Sequence, residues 1–441
     1  MRKVSVLLAV LLSFLLILSG CGTGGEQGGT ANQNQQAGKQ NSVKITLMNS
    51  KAEMQATFEE AAKKFHEENP DITLEVIPTQ AGEVPYEKAM AMYGSGNAPT
   101  LTMLDPGDVM KFQEKALDLS AEKWVNETAE HSLDAATLPD GRVIGFPFAV
   151  EGYGLIYHQS VLEKAIGGPF DPKSIKTRSD LKGILQKMKD AGIDPVLLSP
   201  MDWSLAGHFL PVVYASQSKD PTEVDAFIER LKKGQEDLLQ NKVFNGVMDT
   251  FDLLKDFNLN KADPLSGTYD QGPQLLGTGK VGLWFMGNWA WPQIHSFDTG
   301  NGNYGFLPIP NSDNPSDYGN QQIPVGVTKF LILDKEQSTP EQQEAAKRFL
   351  NWLVYEKSGQ DFLVNQANII PDFKNIALKP QNPLAQSIMG YMNDGQTLRF
   401  MTTLPPDHWS QLGASMQKYL SGNIDRKTLA KEIEGYWQSV Q

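Results

Sequence analysis

The run Gly141-Arg142-Val143-Ile144-Gly145-Phe146-Pro147-Phe148-Ala149-Val150-Glu151-Gly152-Tyr153-Gly154-Leu155-Ile156-Tyr157 is apolar almost throughout, yet small residues interrupt it. Asp140-Gly141 at its start is tight-turn chemistry. Behind the turn lie two extended stretches, Val143 to Val150 and Glu151 to Tyr157, which suit a chain crossing from one lobe to another. A second crossing is expected at Gln322-Ile323-Pro324-Val325-Gly326-Val327.

Upstream, Val43 to Met48 alternates as a strand, and Phe58, Ala61, Ala62 and Phe65 recur at helical spacing before Asn69-Pro70. Ile72 to Ile77 is a second alternating strand. Leu101-Thr102-Met103-Leu104 is a buried third, stopped by Asp105-Pro106-Gly107. Strand, helix, strand, helix, strand predicts an α/β sheet that gathers ligands at the carboxyl ends of its strands. Downstream, the pattern predicts a helix from Arg178 to about Ala191 and strands over Pro195–Leu198 and Val281–Met286. Further helices are expected over Glu341–Tyr355, Ser358–Gln366 and His408–Val440. No internal repeat appears.

The 441 residues carry a net charge of -13, and no Lys/Arg block resembles a nucleic-acid footprint, so no nucleic-acid partner is expected. The acidity favours a soluble, monomeric surface. At the N-terminus, Arg2-Lys3 precedes an apolar run from Val4 to Leu18, then Ser19-Gly20-Cys21. That is the layout of a secretory signal, too short for a membrane span. Cys21 is the single cysteine, so no intramolecular disulfide forms. The segment resembles a bacterial lipobox, which implies cleavage before Cys21, lipidation of its thiol and anchoring on the extracytoplasmic face of the cell membrane. Two acyl chains anchor durably where one is marginal. The alternative is an ordinary signal peptide with an incidental cysteine. Gly22 to Ser42 holds almost nothing to bury and reads as a flexible leash of roughly 25 Å. Without its first 20 residues the chain has a net charge of about -15 and is long enough for two or three domains.

Catalytic signatures are missing. Gly277-Thr278-Gly279-Lys280 lacks the partners of a phosphate loop, with Gln274 and Val281 at the places that would need Gly and Ser or Thr. There is no His-Glu-x-x-His, no Cys-x-x-Cys and no Gly-x-Ser-x-Gly, and Pro315 interrupts the one calcium-like loop. No metal, cofactor or catalytic residue is expected. Aromatic residues instead concentrate in Trp284-Phe285-Met286-Gly287-Asn288-Trp289-Ala290-Trp291-Pro292 and Met201-Asp202-Trp203. Trp284, mid-strand, belongs in a core. Trp289 follows the strand and opens the next helix, where an indole face can pack on a pyranose ring while amides such as Asn288 and carboxylates take the hydroxyls.

The run from Gly141 to Tyr157 resembles the interlobe segment of maltose-type binding proteins. Gly287-Asn288-Trp289-Ala290-Trp291, followed by Asn303-Tyr304-Gly305-Phe306-Leu307-Pro308, resembles the same family's tryptophan motif and succeeding strand. From about Val43 onward the chain is similar to family 1 extracellular solute-binding proteins of ABC importers. The resemblance implies an α/β, two-lobed clamshell of the periplasmic-binding-protein type, each lobe a mixed sheet flanked by helices. It places residues 43–148 with 328–375 in one lobe and 153–322 with 376–441 in the other. It implies a carbohydrate ligand, an ABC permease with its ATPase as partners, and no enzymatic activity. The family's hinge carboxylate maps onto Glu151, with Tyr153 nearby, its stacking tryptophan onto Trp289, and its late-helix tryptophan onto Trp409. First-lobe ligand residues map onto Asn49 or Glu53, and onto Asp105 or Asp108. Asp202 and Trp203 align loosely with an aromatic-bearing loop, and Asp202 reads equally as an N-cap. Leu104-Asp105 departs from the maltose branch, which carries an aromatic there. Two other readings stay open: a surface-retained glycoside hydrolase using two carboxylates, and a sugar receptor for signalling.

Overall fold

A computed structural model describes residues 42–80, 83–129, 132–298, 300, 302–405 and 407–440. The apolar N-terminal run, Cys21 and the leash up to Asn41 lie outside the described residues. Among the described residues, no helix is long and apolar enough to cross a membrane.

The opening pattern folds as its periodicity dictates. Strand β1 (Val43–Asn49), the helix Gln55–Glu68, β2 (Ile72–Pro78), the helix Pro85–Gly94 and β3 (Leu101–Leu104) follow in order. β1 pairs in parallel with both β2 and β3, as crossover helices require. Then come β4 (Phe146–His158), β5 (Asp194–Leu197), β6 (Val281–Gly287), β7 (Tyr304–Leu307), β8 (Ile323–Leu333) and β9 (Thr397–Arg399). The sheet order is β2-β1-β3-β8-β4-β6-β5, with β7 on β4 and β9 on β8. Parallel and antiparallel pairs mix on both sides of the β8–β4 pair.

In place of the two stretches expected around Glu151, the chain forms one continuous 13-residue strand, buried along its length. Phe146, Phe148 and Ala149 of β4 enter a core with Phe58, Trp124 and Phe362. Tyr153, Leu155 and Tyr157 of the same strand enter a second core with Phe209, Phe285 and Trp437. The strand stays unbroken because its small residues accommodate close neighbours. A Cβ on Gly154 would sit 2.7 Å from the Leu307 carbonyl oxygen, so β7 approaches only where a side chain is missing. The β4–β8 register shifts between Pro147 and Val150, where a bulge twists the ribbon between the two cores.

The C-terminal region expected as one helix is two, His408–Leu420 and Arg426–Ser439. Gly422 at φ +74° ends the first, and Asp425 caps the second through Thr428 N–H. The helix expected over Ser358–Gln366 starts at Lys357 and widens into a π-turn from Phe362 to Gln366.

Asp372, 4% exposed, sits beside the first core with one carboxylate oxygen unpartnered. Burial pushes its pKa up to about 6, against the Ser132 hydroxyl and the Lys374 charge. The folded chain therefore holds a proton that an unfolded aspartate gives up near pH 4, and stability falls as pH rises through about 4 to 6. Asp372→Asn should raise the unfolding free energy at pH 7.5 by about 1–3 kcal/mol, with the gain vanishing near pH 4. Urea unfolding at the two pH values measures this, and an equal gain at both would refute it.

Candidate functional site

The carboxyl end of β1 turns sharply because of Asn49. Its Oδ1 accepts the Lys51 backbone N–H at 2.9 Å, while its Nδ2 donates to the Lys51 carbonyl at 2.9 Å and to Gln55 Oε1 at 3.1 Å. Fully buried, Asn49 shapes the loop rather than facing the cleft. The turn returns Lys51 over the sheet edge. There its ammonium donates to Glu151 Oε1 at 2.8 Å and lies 3.0 Å from Glu53 Oε1. The Thr328 hydroxyl, from β8, donates to Glu151 Oε2 at 2.5 Å. The Lys51 and Glu151 side chains are only 6% and 5% exposed. Burial works against the Lys51 charge, yet Glu151 and then Glu53 hold its pKa above the ordinary lysine value. Burial likewise opposes ionisation of Glu53, but Lys51 holds that carboxyl below the usual range.

The opposite wall grows from the end of β6. Asn288 Oδ1 accepts the Gly152 backbone N–H at 3.0 Å, fixing the helical turn Asn288–Ala290 against β4. Trp289 then folds its indole back over Gly287, where a Cβ would meet the ring at 2.0 Å. No residue but glycine leaves room for that ring. Below the indole lies His208, 5.0 Å away between centroids and tilted by 37°. Tyr153, Trp203 and Phe400 also surround His208, at 4.8, 5.6 and 5.8 Å. Desolvation pushes the His208 imidazole down to about 3, against the pull of the Asp105 charge. This wall therefore carries a neutral imidazole at any physiological pH.

The two walls nearly touch. Lys51, Glu53, Glu151, Asn288 and Trp289, with Met54, Pro292 and residues 367–369, enclose a cavity of about 20 Å³. That is room for about one water, against roughly 300–1,000 Å³ for a site holding a small molecule. The Asp105 charge acts on the His208 imidazole. A Cβ on Gly107 would lie 3.3 Å from the Thr402 carbonyl oxygen. The cleft is shut.

Of the residues expected at a site, Glu53, Glu151, Asn288 and Trp289 share the cavity wall. Asp105 pairs with Lys329 of β8 at 2.5 Å, and Asp108 pairs with Lys111 at 2.7 Å on its own helical turn. Tyr153 is buried in the second core beneath His208. Asp202 accepts the Trp203 N–H at 2.8 Å as an N-cap. Trp203 leans on His208 and Tyr269. Trp409 is 37% exposed and passes Gly207 of the same aromatic turn.

Lys51, Thr328, His208 and Asn368 escaped the sequence reading. Asn368 lines the cavity at φ +54°, the one non-glycine residue with positive φ among the described residues. His208 rides a π-helical turn, Trp203–Phe209, which has no sequence signature. Lys51 alone had a local signal, two places after an Asn that ends a strand.

The chain as a whole is similar to known proteins in sequence and fold. Residues 60–387 match the family described as bacterial extracellular solute-binding protein. An uncharacterized ABC transporter extracellular-binding protein of Pyrococcus horikoshii is 23% identical over 405 residues, covering 89% of this chain and 85% of that one. The solute-binding protein RafE in complex with raffinose superposes with a TM-score of 0.72 at 16% identity, over 90% of this chain and 99% of that chain. A sugar transporter of Bacillus licheniformis in complex with stachyose gives 0.69 at 18% identity, over 90% and 100%. The fold is the two-lobed clamshell of these proteins, and the chain belongs to the bacterial extracellular solute-binding proteins.

Proposed function

We propose that this protein is a lipid-anchored extracytoplasmic receptor that closes on a carbohydrate and delivers it to an ABC permease and its ATPase. The observation that carries the reading is the cleft itself, with an indole held over Gly287 beside Asn288 on one wall and hydrogen-bonding carboxylates on the other. Aromatic faces take the apolar faces of sugar rings, and charge-assisted bonds suit their hydroxyls. The neighbours that hold raffinose and stachyose point the same way.

In this reading residues 43–148 and 328–375 make one lobe, and 153–322 and 376–441 the other. The two cores divided along β4 support that partition. Glu53, Glu151, Asn288, Trp289 and Trp203 contact ligand directly. Asp105 and Trp409 contact it once the lobes part and reclose around it, while Asn49, Asp108, Tyr153 and Asp202 hold their neighbours in place. Cys21 carries the lipid, and the protein acts as a monomer. The shut cleft is one end of a hinge equilibrium, and sugar enters from the open end. Ligand shifts the population by its greater affinity for a closed form that surrounds it.

The alternative is a surface-retained glycoside hydrolase. A glycosidase needs one carboxylic acid with a raised pKa to protonate the leaving group. The hydrolase would use two of Glu151, Asp105, Asp202 or other carboxylates, and product release separates it from a binding protein.

A panel of mono- and oligosaccharides, with amino acids, peptides and polyamines as controls, should raise the melting temperature with one sugar class, and that sugar should be recovered intact. A shift with a control ligand alone would discard the carbohydrate assignment, and product release would restore the hydrolase. Trp289→Ala should weaken binding of that sugar at least tenfold while leaving the unliganded melting temperature nearly unchanged. Gly287→Ala should match that loss with the indole still present, because its methyl displaces the ring. Calorimetric titration of both variants checks this, and full affinity in Gly287→Ala would show that the ring position is irrelevant.

A further inference from the structure

Besides β4 and β8, the chain passes between the cores at one more place, and that place is on the cavity wall. Ala367 and Ile369 sit in the core with Phe58, Trp124 and Phe362, whereas the next residue, Ile370, packs with Trp284, Met286 and Trp291. The passage takes a single residue. It runs alongside β4 at the end of the bulge, where the Val150 N–H donates to the Ile370 carbonyl at 3.2 Å. Directly before it stands Asn368, at φ +54° and lining the cavity.

The left-handed turn has a local cause. Asparagine tolerates this conformation at a helix end, and the Ile369 N–H returns to the Leu363 carbonyl at 3.1 Å, closing off the π-turn before it. That cause does not extend to the Asn368 carbonyl. It accepts from Nδ2 of Asn382 at 3.2 Å, and Asn382 is 3% exposed. Asn382 opens the helix Pro383–Asn393, whose Leu384, Ala385 and Ile388 pack with Trp284 and Met286 beyond the joint. Its Oδ1 accepts the Ala385 N–H at 2.6 Å and caps that helix. One buried amide thus does two things. Its oxygen caps a helix on one side of the joint, and its nitrogen grips the backbone on the other.

We propose that Asn382 is a positioning residue that latches the empty cleft shut by gripping the left-handed joint at Asn368. This rests on the hinge-closure reading above and adds its control. A bond that spans the joint lengthens as the walls separate. A cavity of about 20 Å³ admits no sugar, so a latched molecule stands outside the binding equilibrium. The apparent affinity is reduced by the fraction held in that form. Breaking the latch therefore opens the empty protein and tightens its binding of sugar, which the loss of a merely structural contact would not do.

Asn382→Asp and Asn382→Ser test this, because both keep an oxygen for the Ala385 N–H and both lack the amide donor. Spin labels at Glu87→Cys on the helix Pro85–Gly94 and Lys182→Cys on the helix Arg178–Asp190, with Cys21→Ser, report the distance between the two halves by double electron–electron resonance. Without ligand, the parent protein should show mainly the shorter distance. In both Asn382 variants the ratio of short to long should fall about fivefold, the worth of one hydrogen bond. Asn368→Val leaves Asn382 intact but disfavours the left-handed backbone, and it should open the cleft as well, which decides the matter even if the Asn382 variants fail to fold. Calorimetric titration of Asn382→Ser with the sugar found by the melting panel should show affinity raised at least twofold. Unchanged distances with a lowered melting temperature would make Asn382 a helix cap and overturn the latch. A parent protein already open when empty, or a loss of affinity in Asn382→Ser, would overturn it too. The distances are measured without sugar, so a parent protein that binds no sugar would remove the carbohydrate reading and leave the latch to be judged by them.

Discussion

Two strands run through both halves of this molecule, and their pairing sets everything that follows. β4 and β8 lie antiparallel from Phe146↔Leu331 to Gly152↔Val325. Each strand is anchored at one end among Phe58, Trp124 and Phe362 and leaves that core at the other. Beyond the shared ladder β4 pairs with β6 and β7, and β8 with β9. A pair of strands clamped in two cores but bulged between them bends most easily at the bulge. That bulge lies between Pro147 and Val150, immediately before Glu151. The residue at the centre of the charged cluster is thus carried on the hinge.

Burying Lys51 and Glu151 is tolerable only because each has the other. Removing either member of a buried pair leaves an uncompensated charge at a cost of about 3–5 kcal/mol. Such a pair does little for net stability but fixes geometry. Asn49 folds the loop so that Lys51 reaches Glu151, and Thr328 takes the remaining Glu151 oxygen. Asn288 closes the arrangement from the other wall by holding the Gly152 N–H. Three segments distant in sequence converge on two adjacent residues of one strand.

Much of this was legible in the chain, and the exceptions have physical causes. Alternation and helical spacing located β1, β2, β3 and β6, because each element buries one face or both against a core and writes that into its period. Gly287 and Trp289 were legible as a strand end opening a helix. The continuity of β4 was not, because its glycines look like breaks when their purpose is to admit Leu307 and its neighbours. Nor was the roster around the cavity. Lys51, Thr328 and Asn368 meet across hundreds of residues, and the π-turn that presents His208 obeys no local rule. The helix end at Gly422 was written plainly as a left-handed glycine, yet amphipathic periodicity on both sides obscured it.

The neutral state of His208 bears on how closure discriminates. Had the imidazole been charged, Asp105 would attract it, and the walls would close whether or not a ligand lay between them. Burial among Tyr153, Trp203, Trp289 and Phe400 removes that charge, so the aromatic wall offers the opposite lobe a polarisable surface and little Coulomb attraction. On the proposed function, a ligand that bridges the indole and the carboxylates adds to the closed form an attraction that the imidazole does not supply. A ligand with an apolar face for Trp289 and hydrogen-bonding or charged groups for Glu53 and Glu151 satisfies both walls at once. One lacking either leaves a desolvated group unpaired, at about 1–3 kcal/mol for each neutral hydrogen bond lost and more for a charge. On the proposed function, selectivity in this cleft would come from the closed state, because in an open state water would solvate each wall independently.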